Sequence, residues 1–113
     1  MSKSKYNASR VVIDGHRFDS KREACRYEEL KQLEAAGKIA QLELQPRFEL
    51  QAGFRYHGEA IRKIEYVADF RYLDYERGGL VVEDVKGMRT DVYKLKRKLF
   101  LAKYGDAVIF DEV

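Results

Sequence analysis

The run Leu80-Val81-Val82 follows a glycine pair and continues without a turn residue into Glu83-Asp84-Val85-Lys86-Gly87. An unbroken apolar triplet after Gly78-Gly79 reads as the start of a buried strand. A buried strand needs elements packed over it, and the chain supplies them. "DSKREACRYEELKQLEAAG" has a helical period, with Asp19 or Ser20 to cap it and Gly37 to end it. "TDVYKLKRKLFLAKYG" has another, capped by Thr90 and ended by Gly105. Around them lie extended segments. "RVVIDGHRF" is a hairpin about Asp14-Gly15. "QLELQPRFELQ" is a strand with Pro46 at an edge or a bend. "AGFRYHGEAIRKIEYVADFRYLD" is two extended segments with a turn near Gly58, and "AVIFDEV" is a closing strand. The fold class is therefore mixed α/β, a central sheet flanked by two helices.

With 113 residues the chain has room for one compact core. Residues 10–113 are read as that domain, and residues 1–9 as a loose basic tail. No run reaches membrane-spanning length, and the single cysteine, Cys25, excludes an intrachain disulfide and fits a reducing cytoplasm. His16 and His57 each sit beside a glycine in a turn and read as surface residues. The net charge is only +3, so its distribution carries more than its sum. From Lys86 to Tyr104 there are seven basic residues (Lys86, Arg89, Lys94, Lys96, Arg97, Lys98, Lys103) against one acid, Asp91. Such a segment attracts phosphates. It is also what a solvated helix face with spare lysines looks like.

Side chains alternate along a strand. Leu80, Val82, Asp84 and Lys86 share one face, and Val81, Glu83 and Val85 share the other. Asp84 and Lys86 can therefore meet at one place, while Glu83 projects away to ordinary surface or a supporting position. A shielded carboxylate and ammonium cost several kcal/mol, to an order of magnitude, in lost hydration. A metal ion and a phosphate would repay that; a surface ion pair at the strand end is the simpler alternative. Asp69, inside the apolar and aromatic "EYVADFRYL", is an anomaly of the same kind, because Asp is depleted in strands. A third acid, Glu23, falls near the middle of the inward stripe of the first helix with Tyr27 and Leu30, at about 100° per residue. Ser20-Lys21-Arg22-Glu23 equally fits a capping box, with Glu23 reaching back to the Ser20 N–H.

Two or three carboxylates at one place suit a hard divalent cation, most simply Mg²⁺. Such an ion polarises a phosphate oxygen and acidifies water, and a neighbouring lysine can orient that water and add positive charge for a pentavalent transition state. With the basic segment behind them, these parts suit hydrolysis of a phosphodiester in nucleic acid.

"YVADF", then fourteen residues between Asp69 and Asp84, then "EDVKG" resembles the signature of the PD-(D/E)XK nuclease superfamily. "FDSKRE" resembles the helix that carries a further acid in those enzymes. The pattern is similar to the phage junction-resolving endonuclease I group, to TnsA-type nucleases and to short phage-encoded proteins of unassigned function. Ala68 stands where the signature has proline, and Asp84 where glutamate is commoner. The resemblance implies a restriction-endonuclease-like fold and Mg²⁺-dependent DNA cleavage, with Mn²⁺ as a substitute, in the cytoplasm of a bacterial host. It implies Asp69 and Asp84 as metal ligands, with the Val85 carbonyl beside them and Glu23 holding a second metal or a water. Lys86 would position the nucleophilic water, Gln45 would be a polar helper, and Arg89, Lys94, Arg97 and Lys98 would hold DNA. Cutting both strands, or a branched junction, implies a homodimer. A nucleic-acid-binding protein that keeps the fold without cutting, and a structural α/β domain whose charges form surface ion pairs, are the alternatives to a nuclease.

Overall fold

The computed structural model describes residues 10–85 and 89–113. The expected N-terminal tail at 1–9, and Lys86 of the expected site, lie outside the described residues. The chain runs β1 (Val11–Ile13), β2 (His16–Phe18), α1 (Lys21–Ala35), β3 (Ile39–Leu44), β4 (Arg47–Gln51), β5 (Phe54–Tyr56) and β6 (Glu59–Ile61). It continues through β7 (Ile64–Val67), β8 (Phe70–Asp74), β9 (Gly79–Asp84), α2 (Asp91–Tyr104) and β10 (Ile109–Glu112). The fold is mixed α/β. No helix of the described residues is long and apolar enough to cross a membrane.

The local signals act as their chemistry dictates. Asp14 and Gly15 both take positive φ (53° and 80°), the geometry that closes a two-residue hairpin with the right twist. Ser20 caps α1 by accepting from the Glu23 N–H, and Thr90 caps α2 by accepting from the Tyr93 N–H.

The main sheet has the strand order β10-β9-β8-β3, with β10 parallel to β9 and the other pairs antiparallel. "QLELQPRFELQ" is not one strand. Gln45, with φ 51°, and Pro46 divide it into β3 and β4. The segment from Ala52 to Asp74 likewise holds four strands rather than two extended segments. The physical reason lies in the pairing. β3 pairs with β8, and β4 pairs with β7. Between the two ladders the Gln45 N–H donates to the Asp69 carbonyl at 2.9 Å and the Ala68 N–H to the Pro46 carbonyl at 3.1 Å. One long ladder thus bends where proline denies it a donor, and Asp69 lies in the bend.

The sheet is covered on both faces. α1 packs with Phe18, Tyr27, Leu30, Ile39, Tyr72 and Val81 on one side. α2 packs with Phe48, Tyr66, Val82, Tyr93 and Phe100 on the other. Val81 and Val82, adjacent in sequence, enter opposite cores, so the alternation along β9 continues to its charged end. Glu83 therefore faces α1 and Asp84 faces away from it. Glu83 is not ordinary surface. It is 0% exposed, accepting from Arg26 Nε at 2.8 Å and Nη2 at 2.6 Å, and from the Tyr72 hydroxyl. The bond to Glu83 pushes the Arg26 guanidinium pKa up, fixing its charge. Removing one member of a buried pair leaves the other uncompensated. Arg26→Ala should accordingly destabilise the fold by about 3 kcal/mol in urea denaturation, well beyond the cost of an exposed ion-pair loss such as Lys31→Ala.

Candidate active site

Three of the residues expected at the site line one cavity of about 580 Å³: Glu23, Gln45 and Asp69. Each arrives by a different local device. Glu23 stands in the first turn of α1, and its carboxylate accepts from the Asp19 N–H at 3.2 Å while its own N–H donates to Ser20 Oγ at 3.1 Å. The capping box is therefore real, but its return bond goes to Asp19 rather than to Ser20. One cap and one site share the same carboxylate. Gln45 is presented by its left-handed backbone at the bend. Asp69 sits opposite it in the same bend, and Asp69 Oδ2 accepts from the Val85 N–H at 2.6 Å. This bond ties the acid to the end of β9.

The Asp69 and Glu23 carboxyl groups lie within hydrogen-bonding reach of each other. Burial first, then the hydrogen bond with Glu23, push the Asp69 pKa up to about 9, against the opposing Val85 N–H; the negative charges of Glu23 and Asp84 add to the rise. Burial and the neighbouring Glu23 carboxyl make ionisation of Asp69 costly, a cost that a cation beside the pair would relieve.

Asp84 does not line the cavity. It is 1% exposed on the opposite side of β9, where its Oδ2 accepts from the Tyr66 hydroxyl, and burial and Asp84 together push the Tyr66 pKa up. Asp84 reaches Asp69 through its field. Val85 shows its N–H in use. Among the described residues no three His, Cys, Asp or Glu side chains converge as a ready-made metal centre.

The expected DNA-contacting residues divide into two sets. Lys94 and Lys98 are exposed on α2. Arg89 and Arg97 are instead held by Glu112 at the end of β10, at 2.9 Å and 3.1 Å, and Arg97 also lies over the Phe110 ring. Half of that cationic set is thus already paired.

Two further residues of the cavity wall, His16 and Arg17 of β2, carry polar groups that the sequence pattern does not assign to the site. His16 is exposed, as expected of a turn residue, yet its ring meets Tyr27 edge-on at 5.7 Å between centroids. A signal existed: only Asp19 and Ser20 separate the hairpin from Glu23's helix, so the hairpin must lie at that helix end.

A family model matches residues 3–110. The chain belongs to the family described as Protein of unknown function (DUF1064). No curated protein matches the chain, nor does any solved structure. Since the family match spans both helices and every strand that builds the cavity, the Glu23–Gln45–Asp69 arrangement belongs to the matched part of this chain.

The raised pKa of Asp69 has a definite sign for stability. Between the unfolded value of about 4 and the folded value, the folded chain keeps a proton that the unfolded chain has lost. The stability contributed by the neutral acid is complete below about pH 4 and is lost as pH rises towards about 9. Asp69→Asn keeps an acceptor for the Val85 N–H and removes the charge. In chelator it should raise the melting temperature at pH 8 by several degrees, with the gain vanishing near pH 4; thermal melts across that range measure it.

Proposed function

We propose that this chain is a Mg²⁺-dependent DNA endonuclease that hydrolyses phosphodiester bonds. The observation that carries the reading is the pair of neighbouring carboxyl groups, Glu23 and Asp69, beside the Gln45 amide in one cavity. The resemblance of Asp69, Asp84 and Lys86 to the PD-(D/E)XK signature gives the pair its chemical direction.

The donor set fits the metal. It is all oxygen, and a divalent cation would take the place of the proton that Asp69 otherwise retains. Mg²⁺ is commonly held by one or two carboxylates and keeps several waters, so two protein ligands suffice. Glu23 and Asp69 would hold it, and Mn²⁺ would substitute. When bound, the ion supplies a Lewis acid for the phosphate and a source of hydroxide at neutral pH.

The chain's own residues would do the rest. The Val85 N–H holds Asp69 and the Asp19 N–H holds Glu23, so neither carboxylate has to be ordered when substrate arrives. Gln45 offers both a donor and an acceptor to a water or a phosphate oxygen. Arg17, on the cavity wall, offers a cation to the scissile phosphate. Lys86 follows Val85 in the chain and would orient the attacking water and add charge in the transition state. Asp84 would act from behind β9 through its charge. A substrate with two strands to cut, such as a branched junction, would call for two copies of the chain.

A second reading has its own observation. Asp84 is buried and engaged by Tyr66 on the side of β9 away from the cavity, which favours a protein that holds nucleic acid without cutting it. One experiment separates the two. Labelled junction, flap and duplex DNA are incubated with Mg²⁺ or Mn²⁺ and the wild-type chain, Asp69→Asn, Asp84→Ala or Lys86→Ala. Cleavage by the wild type should fall by roughly 10²–10⁴-fold in Lys86→Ala, the range expected for a general acid–base group, and at least as far in Asp69→Asn. Binding without cleavage of any substrate selects the second reading.

A further inference from the structure

We infer that the β5–β6 hairpin is an arm that takes an unpaired nucleic-acid strand, with bases on Phe54 and Tyr56 and phosphates in the cationic cleft at its base. The inference rests on the nucleic-acid reading above and names the kind of strand that the protein would engage.

The arm is structurally costly without such a partner. β5 and β6 pair with each other and approach no other strand or helix among the described residues. A lone two-stranded hairpin is marginal in water at best. This one also leaves Phe54 48% and Tyr56 62% exposed, so its aromatic rings add little to a core. The two rings are two residues apart and share a strand face, with Ile61 opposite Phe54 on the partner strand. That spacing is roughly 6.6 Å. It is about twice the ~3.4 Å rise between stacked bases, so each ring can take a base of its own.

The charge lies where the arm leaves the body. Arg62 and Lys63 follow β6 directly, and with Arg47 of β4 and Lys96 of α2 they line a cleft of about 460 Å³. Glu65 is the one acid among its lining residues, and it is bridged by both Arg47 and Lys63 at 3.2 Å. Four cations around one carboxylate repel one another, and a phosphate backbone relieves that repulsion. Arg89 and Arg97 share Glu112 in the same way. The cleft holds Arg62 and Lys96 in addition to the pair that Glu65 bridges, so net positive charge lies beside the arm as well as at the exposed Lys94 and Lys98 of α2. Aromatic platforms next to a cationic groove are the physical form of single-strand binding, since every base has a π-face to stack.

Fluorescence anisotropy in chelator tests this on the full chain, using a labelled single-stranded oligonucleotide, a blunt duplex and poly-glutamate of matched charge. Phe54→Ala and Tyr56→Ala should each weaken single-strand binding at least ~5-fold and leave duplex binding unchanged. Arg62→Ala and Lys96→Ala should each lower the salt slope on the single strand by about 0.7. All four side chains project from the surface or a cleft, and circular dichroism checks that each variant folds. Equal loss on single strand and duplex, an unchanged salt slope, or poly-glutamate binding as tightly as the oligonucleotide overturns the proposal, the last in favour of an acidic protein partner. Because metal and cleavage are absent, the result stands apart from the carboxylate pair. Intact, ring-dependent binding with no cleavage in Mg²⁺ sinks the nuclease alone; cleavage with ring-independent binding sinks the arm alone.

Discussion

Glu83 lies between β9 and α1 with no exposure to solvent, and Arg26 and Tyr72 surround its carboxylate. A fork of two charge-assisted bonds has a narrow geometry, so it fixes the rotation of α1 as well as its distance from the sheet. Glu23 stands one turn before Arg26 on that helix, and residues three apart share a side. Phe70 pairs with Glu83 across the sheet, and Asp69 precedes Phe70. Setting Arg26 on Glu83 therefore sets Glu23 beside Asp69. The buried ion pair is the register pin of the cavity, although it takes no part in the cavity's lining.

The bend at Gln45-Pro46 and Ala68-Asp69 is the second determinant. In a continuous ladder Asp69 would be one more strand residue with its side chain in a core. The bend keeps its backbone paired on both sides, to Gln45 and to Glu83, while its carboxylate turns to the Val85 N–H and Glu23. The left-handed backbone of Gln45 costs roughly 1–2 kcal/mol, and it places an amide where a regular strand would place nothing. A left-handed backbone, a half-buried acid and a cavity coincide at one point of the chain. Coincidence of that kind is what a functional site requires of a fold that otherwise gains by regularity.

Much of the architecture was legible because its causes are local. Asp14-Gly15 closes a hairpin, Ser20 and Thr90 start helices, and Gly37 follows the end of the first, each by chemistry within a few residues. The placement of Val81 and Val82 in opposite cores follows from the pleat alone. The strands between Ala52 and Asp74 were less legible. Their boundaries depend on which neighbours they pair with, and the division at Asp69 answers to Pro46, which lies far away in sequence. Of the site, Glu23 and Asp69 were identifiable as acids out of keeping with their surroundings, and Gln45 only through the resemblance. For Glu83 the structure selects the supporting position over ordinary surface, since alternation gives the face a residue turns to but not what packs there. Arg89 and Arg97 were counted as available charge because their partner, Glu112, sits on the last strand.

By itself, then, the sequence determined the helices with their caps, the hairpins and the two-sidedness of the central strand, because each follows from dihedral preference and periodicity over a short span. It also determined that acids would stand in places where acids are expensive. Only the tertiary structure decided which of those acids meet each other, which meets an arginine and which a tyrosine. Charge partnership depends on distances between elements far apart in the chain, and a carboxylate in isolation carries no record of its counter-charge. In this protein that choice separates Glu83, which holds the fold together, from Asp69 in the bend, which lines a cavity beside a second carboxyl group.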